Sequence, residues 1–294
     1  MTRAELLDKI VTFSLSAESL AEDLISGDFR SIFRGQGIEF EEVRNYQVGD
    51  DIRTIDWNVS ARFGHPYVKL YREERELTVF IILDCSASMR TGGPIRRYDQ
   101  ALFAASLIAF SAEKAGQRFG GLFFNCEVSR VLMPKKGRAA VMAWVLEALA
   151  QDPADAADSS RGSELARALE GASRILKKRS LVVIVSDFLA LGWEEPLANL
   201  SHHHDVAAIR ITDPIEEAMP RLGLVTFQDP ETDEVLHAPT SFKSFESSWK
   251  AWNRDRSRVW DAICTKYRVP HMELLSTANP ATELARFFSG RSRQ

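Results

Sequence analysis

Cysteine is scarce in this chain. There are three in 294 residues, Cys85, Cys126 and Cys264, odd in number and widely spread. They form neither a disulfide framework nor a zinc-ligand spacing, so a reducing cytoplasm is the expected home. Long apolar runs are missing too. The longest candidate, ALFAASLIAF at 101–110, falls well short of the roughly 18–20 residues that span a bilayer. The N-terminal MTRAELLDKI is charged and lacks the apolar centre of a secretory signal, so no membrane span is expected. Charge of one sign is also lacking. With 37 Lys and Arg against 41 Asp and Glu, the formal net charge of −4 gives no reason to expect nucleic acid or an anionic membrane as partner. The phosphate-cradling pattern GxxxxGK[ST] does not occur, so the chain is not itself a P-loop ATPase. Internal repeats and low-complexity tracts are absent as well.

What is present suits one large domain with extensions, or two modest ones. Hydrophobic residues make up 45% and charged residues 27%, and the length allows a sizeable core. Residues 4–25 carry a rough apolar stripe, Leu6, Leu7, Ile10, Leu15 and Leu20, which predicts a helix stopped by Gly27. Residues 31–75 mix short aromatic and β-branched runs with Gly35, Gly37, Gly49 and Gly64, which predicts short strands and turns. From residue 77 the pattern becomes regular. LTVFIILD (77–84), SLVVIVSDF (180–188) and DVAAIRIT (205–212) are β-branched runs of the kind found in strands covered on both faces. FGGLFFN (119–125) and EVSRVLM (127–133) predict two strands joined by a tight turn. Helices are expected over 95–115, 137–150, 163–177 and 193–203. Strands alternating with helices imply an α/β fold, Rossmann-like, with a mainly parallel sheet flanked by helices on both faces. The tail predicts a hairpin at 222–238, turning near Asp229-Pro230. A helix follows over 242–267, with Phe242, Phe245, Trp249, Trp252, Trp260 and Ile263 on one face, and a last helix lies near 280–290. The organisation expected is an N-terminal helix (1–30), a β-rich segment packed on the main domain (31–75), and the α/β domain with C-terminal helices (76–294).

The chemistry concentrates in IILDCSASM, residues 81–89. In an open parallel sheet, functional loops lie at the carboxyl ends of strands beside a topological switch point. Asp84 ends a strand, and Ser86 and Ser88 follow at alternate positions, so all three oxygens can face one spot. Hard oxygen donors suit Mg²⁺, or Mn²⁺ and Ca²⁺, over zinc or copper. Neutral hydroxyls neutralise little charge, so such an ion keeps an open position. Two further junctions add candidates: Ser163, after Gly162 at a helix start, and Asp187, at the carboxyl end of SLVVIVSDF.

The DxSxS loop, the later G-[ST]-x-L helix start and the later [ST]-D strand end together resemble the metal-ion-dependent adhesion site of von Willebrand factor type A domains. The segment 35–76 closely resembles the signature of the bacterial domain of unknown function 58 (DUF58) family. The pieces that carry it are R-x-Y-x-x-G-D-D-x-R-x-I-D-W at 44–57, S-A-R at 60–62 and V-K-x-x-x-E-E-R-E at 68–76. Proteins of that family place this signature just before a type A domain, the order seen here. The resemblance implies a metal site of Asp84, Ser86, Ser88, Ser163 and Asp187. Serine stands at 163 where threonine is usual, and it lacks the γ-methyl that restricts χ1. Asp187 takes a position that commonly reaches the metal through water. The resemblance also implies a non-enzymatic adaptor or co-chaperone working with a MoxR-type AAA+ ATPase, in which a partner's Asp or Glu carboxylate completes the metal's coordination.

Other features have plainer readings. Cys85 alternates away from the metal and is read as a buried small hydrophobe. His202, His203 and His204 point in different directions at a helix end and are read as a polar terminus. Arg44, Asp50, Asp51, Arg53, Asp56 and Arg62 form either an internal salt-bridge network or a binding surface, and Trp57 is expected to anchor its segment by burial. Two alternatives to metal-dependent adhesion stay open. One is a metal-dependent phosphoester hydrolase, although no general base is evident beside the loop. The other is a vestigial metal site with residues 31–75 as the binding surface.

Overall fold

The structure is a computed structural model, and it describes residues 39–47, 50–72, 77–153, 164–228 and 234–289. The predicted helix over 4–25, Ser163 and the Asp229-Pro230 turn lie outside the described residues. The chain divides into two compact units, one formed by Phe33–Glu76 and the other containing everything from Leu77 onward.

In the smaller unit, β1 (Glu39–Asn45) pairs antiparallel with β2 (Tyr67–Arg72). Between them the expectation of strands and turns fails. Trp57–Phe63 is an α-helix, α1. Its end signals are clear: Asp56 accepts from the N–H groups of Asn58 and Val59, and Gly64 closes the helix at φ 73°. An acidic N-cap and a left-handed glycine make a helix viable over seven residues of mixed composition. The charged block is used locally. Arg44 donates twice to Asp50, both bonds at 2.8 Å, and Asp51 caps the single turn Ile52–Thr54. Trp57 does not anchor by burial. It is 69% exposed, as the first residue of a helix that buries none of its side chains.

The larger unit is built on a six-stranded sheet in the order β10-β7-β6-β3-β4-β5. Its strands are β3 (Thr78–Asp84), β4 (Arg118–Phe124), β5 (Val128–Lys135), β6 (Leu181–Ser186), β7 (Asp205–Thr212) and β10 (His271–Leu275). All pairings are parallel except β4–β5, which closes one edge. The chain leaves β3 towards β4 and β5, returns to the other side of β3 to form β6, and continues to β7 and β10. This is the doubly wound α/β arrangement, with its switch point between β3 and β6.

Helices cover both faces. Phe80 and Ile82 of β3 join one buried cluster with residues of α4 (Leu165–Ile175), α5 (Glu194–His203) and α7 (Lys243–Lys266). Ile81 and Leu83 are equally buried and, by strand alternation, face the opposite layer. There α2 (Arg97–Lys114) packs against α3 (Arg138–Ala150) and α8 (Pro280–Ser289). Gly121 shows how close that packing is. A β-carbon there would stand 2.6 Å from the Ile81 carbonyl oxygen and 2.5 Å from the indole nitrogen of Trp144.

Two further differences come from tertiary context. β10 is a strand that composition does not announce; His271–Leu275 is fixed by parallel pairing with β7. The aromatic face of α7 is only partly buried. Trp260 lies in the core, while Phe242 and Trp252 are 66% and 54% exposed. The first half of α7 meets the hairpin β8 (Leu224–Gln228) and β9 (Val235–Pro239) instead, with Phe227 stacked on Trp249 at 6.1 Å. A short α6 (Pro214–Glu217) follows β7. Among the described residues no helix is long and apolar enough to cross a membrane.

Candidate metal centre

β3 and β6 are adjacent parallel strands in register, Leu83 opposite Val185, so their carboxyl ends emerge side by side. The switch point therefore brings Asp84 and Asp187 together from positions about a hundred residues apart. Each accepts a backbone N–H from its own loop, which for Asp187 is that of Leu189, to Oδ1 at 3.1 Å. Ser86 donates its backbone N–H to Asp84 Oδ1 at 2.8 Å, and Ser186 donates its hydroxyl to Asp84 Oδ2 at 2.5 Å. Ser186 Oγ in turn accepts from the Phe188 N–H at 2.9 Å, which ties the two loops together.

The serine loop converges as its spacing requires. Ser86 is extended (φ −67°, ψ 164°) and leads into a single 3₁₀ turn, Ala87–Arg90. The Ser86 and Ser88 hydroxyls lie 3.1 Å apart, both on buried residues. Cys85, between the ligand candidates, turns the other way. Its thiol sits beside the Tyr98 hydroxyl at 3.7 Å, and burial raises its pKa far above that of a free thiol, so it stays protonated. Ser163 is outside the described residues. The neighbouring Glu164 donates its N–H to the Asn125 carbonyl at 2.8 Å, just beyond β4.

Asp187 sits on a strained turn. Phe188, the next residue, has φ 54°, a left-handed conformation that is costly for an aromatic side chain. It is held there by its ring, which packs on Trp193 at 5.3 Å and Trp260 at 5.7 Å. Core packing thereby fixes the direction of the Asp187 carboxylate.

The electrostatics fit a hard cation. Asp84 is fully buried. Burial first, and then the negative charge of Asp187, push its carboxyl up to about 7, against the hydrogen bonds from Ser186 and Ser86 that favour ionisation. Asp187 Oδ2 is buried with no hydrogen-bond donor. The nearest cation is Arg97 Nη1 at 3.6 Å, an ion pair without a hydrogen bond. Two confined carboxylates with two hydroxyls, one carboxylate oxygen lacking a donor, form an oxygen-only donor set of the type Mg²⁺, Mn²⁺ or Ca²⁺ accepts. Among the described residues there is no group of three or more His, Cys, Asp or Glu able to hold a metal, so the hydroxyls are essential to the candidate.

Sequence reading missed the charges behind this site. Arg97 also donates to Glu216 Oε1 at 2.8 Å and to the Thr91 hydroxyl at 3.1 Å. Glu216 Oε2 accepts from Arg210 at 3.1 Å and Arg256 at 3.2 Å, and Arg210 reaches Glu273 and Ser257, both at 2.7 Å. Asp213 caps α6 in a reciprocal box with Glu216. Signals existed. An arginine inside the buried run DVAAIRIT demands a buried acid, and DPIE is a capping-box pattern. A cavity of about 590 Å³ is lined by Asp213, Glu216, Asn253 and Glu273, among others, but not by Asp84, Ser86, Ser88 or Asp187.

Comparison with known proteins agrees with the signature. A family model described as "Protein of unknown function DUF58" matches residues 42–259. An uncharacterised protein of Mycobacterium tuberculosis is 34% identical over 228 residues, covering 76% of this chain and 70% of that protein. An uncharacterised protein of Mycobacterium avium is 39% identical over 131 residues, covering 44% of this chain and 77% of its own length. Among solved structures, an aerotolerance-related membrane protein from Bacteroides fragilis aligns with TM-score 0.47 and 13% identity, over 74% of this chain and all of that one. The VWA domain of SpRpn10 aligns with TM-score 0.39 and 11% identity, over 72% and 95% of the two chains. The α/β assignment rests on the strand order itself.

Proposed function

We propose, for a chain that belongs to the DUF58 family, that it is a non-enzymatic, metal-dependent protein–protein interaction module. Asp84, Ser86, Ser88 and Asp187 would hold a divalent cation, Mg²⁺ or else Mn²⁺ or Ca²⁺, with Ser163 as the further donor that the adhesion-site resemblance implies. The observation that carries this reading is the pair of confined carboxylates at the switch point, with Asp187 Oδ2 left without a donor. When bound, the ion would supply a positive, Lewis-acidic point for a partner's Asp or Glu carboxylate. The chain's own residues do the rest. Ser186 and the Ser86 N–H aim Asp84, Phe188 fixes Asp187, and burial of the donors excludes competing water. A charge-assisted contact in such a setting gives directionality and makes association depend on the metal.

The partner class comes from family likeness: a MoxR-type AAA+ ATPase in the cytoplasm, with this chain as adaptor or co-chaperone. The test is capture from native lysate in Mg²⁺ and in EDTA, comparing wild type with Asp84→Ala. An AAA+ ATPase retained only by wild type in Mg²⁺ supports the adaptor role. Equal capture in every condition contradicts metal dependence.

A second reading places the binding surface on the smaller unit, and one observation favours it. Ile52, Trp57 and Phe63 are 66%, 69% and 64% exposed within the family signature. In the same experiment, loss of capture by Trp57→Ala but not by Asp84→Ala would select this reading. A phosphoester hydrolase is the remaining alternative; turnover of generic phosphoesters that is lost in Asp84→Ala would establish it.

A further inference from the structure

The charges behind the candidate site reach one of its ligands through Arg97. Arg97, Arg210 and Arg256 form one connected cluster with Glu216 and Glu273. Asp213, 2% exposed, joins the cluster through its capping box with Glu216, and Arg97 reaches beyond the cluster to Asp187 in an ion pair at 3.6 Å. Asp187 thus serves two centres. It is a ligand candidate on one side and an ion-pair partner of Arg97 on the other.

Burial makes this sharing matter. The side chains of Arg97, Asp187 and Glu216 are 10%, 3% and 9% exposed, so solvent screens them little. Arg97 is also restrained. Nη2 is fixed on Glu216 and Nη1 on Thr91, which leaves Nη1 beside Asp187 Oδ2 without a hydrogen bond. The same Glu216 receives Arg256 from α7, and the Trp249 indole of that helix donates to the Ile215 carbonyl at 2.7 Å. The long C-terminal helix is therefore seated on the carboxylate that holds Arg97.

We infer that Arg97 is a tethered counter-cation for Asp187, competing with a divalent ion for that carboxylate and tying the ion's occupancy to the Glu216 cluster that seats α7. This rests on the metal-binding reading above and adds its regulation. When a divalent ion occupies the site, Arg97 withdraws its share of Asp187 and relies on Glu216 and Thr91 alone.

The test is Mg²⁺ affinity by isothermal titration, with thermal unfolding of each variant as control. Arg97→Gln removes the competing charge and should tighten Mg²⁺ binding about tenfold, a heavily screened share of a unit charge at this distance. Arg97→Lys keeps the charge and should stay within about threefold of wild type. Glu216→Gln frees Arg97 towards Asp187 and should weaken binding about tenfold. A merely structural role would move stability and leave affinity unchanged, or lower affinity in every variant, and cannot give opposite signs. If Glu216→Gln does not fold, the Arg97 pair decides. Wild type that binds Mg²⁺ with Arg97→Gln unchanged or weaker overturns this inference and leaves the metal reading intact. Binding by Arg97→Gln alone supports it. No binding by either protein overturns both.

Discussion

Two clusters of buried acids stand at the carboxyl edge of one sheet, and they are built differently. At the end of β7, Glu216 accepts from three arginines and Asp213 accepts from the N–H groups of Gly93 and Ile215. At the ends of β3 and β6, Asp84 accepts from the hydroxyls of Ser186 and Ser86 and from the Ser86 N–H, and Asp187 accepts from the Leu189 N–H and has one arginine at 3.6 Å. The first cluster carries its cations with it. The second leaves buried negative charge for something else to neutralise. Burying ionised carboxylates without cations is costly, and a fold keeps such an arrangement where it serves a site. The same substitution type, an acid made neutral, should therefore act with opposite sign in the two places.

The largest effect is expected in the self-sufficient cluster. Glu216→Ala leaves three guanidiniums without their shared acceptor and should cost about 3–5 kcal/mol in chemical denaturation. In metal-free buffer at pH 8, Asp84→Asn should instead stabilise the protein, on the order of a few kcal/mol, because it removes a charge that burial disfavours. A loss of stability in Asp84→Asn under those conditions would break the comparison.

The pH dependence sharpens it. The folded-state pKa of Asp84 is raised to about 7 from its ordinary value near 4. Between those limits the folded protein holds a proton that the unfolded chain has released. The contribution is fully present below about pH 4 and is lost as pH rises through about 7. Wild type in EDTA should lose stability over that window beyond what Asp84→Asn loses, and the two curves should separate towards neutral pH. Urea midpoints across pH 4.5–8 would show it. The smallest effect is expected far from either cluster. Trp57 is mostly exposed, so Trp57→Ala should change stability by no more than about 0.5 kcal/mol. A larger loss would mean that the indole is covered in solution.

How much of this was legible in the sequence follows from how local each feature is. β3, β6 and β7 announce themselves as short apolar runs rich in β-branched residues, and the acids that end β3 and follow β6 mark the switch point without any structure. The alternation that aims Ser86 and Ser88 together, and Cys85 away, is likewise a property of the chain itself. α1 is different. Its seven residues have no apolar period, and only Asp56 and Gly64 at its ends identify it. β10 has no strong strand composition, and its identity comes from the neighbour it pairs with. The Arg97–Glu216 pair joins residues 119 apart, a separation at which no local pattern operates. The one readable hint, Arg210 within an apolar strand, says that an acid must be near but not which one. Trp57 failed for the opposite reason: a large aromatic predicts burial on average, and a short helix without a buried face gives it nothing to pack against.

The account depends on the donors at the switch point taking up a divalent ion. Isothermal titration of Mg²⁺ into the wild-type protein and into Asp84→Ala tests this most directly. Saturable binding near one ion per chain, lost in the variant while its fold is retained, is the predicted result. No binding by wild type at millimolar Mg²⁺, or equal binding by both proteins, would contradict it.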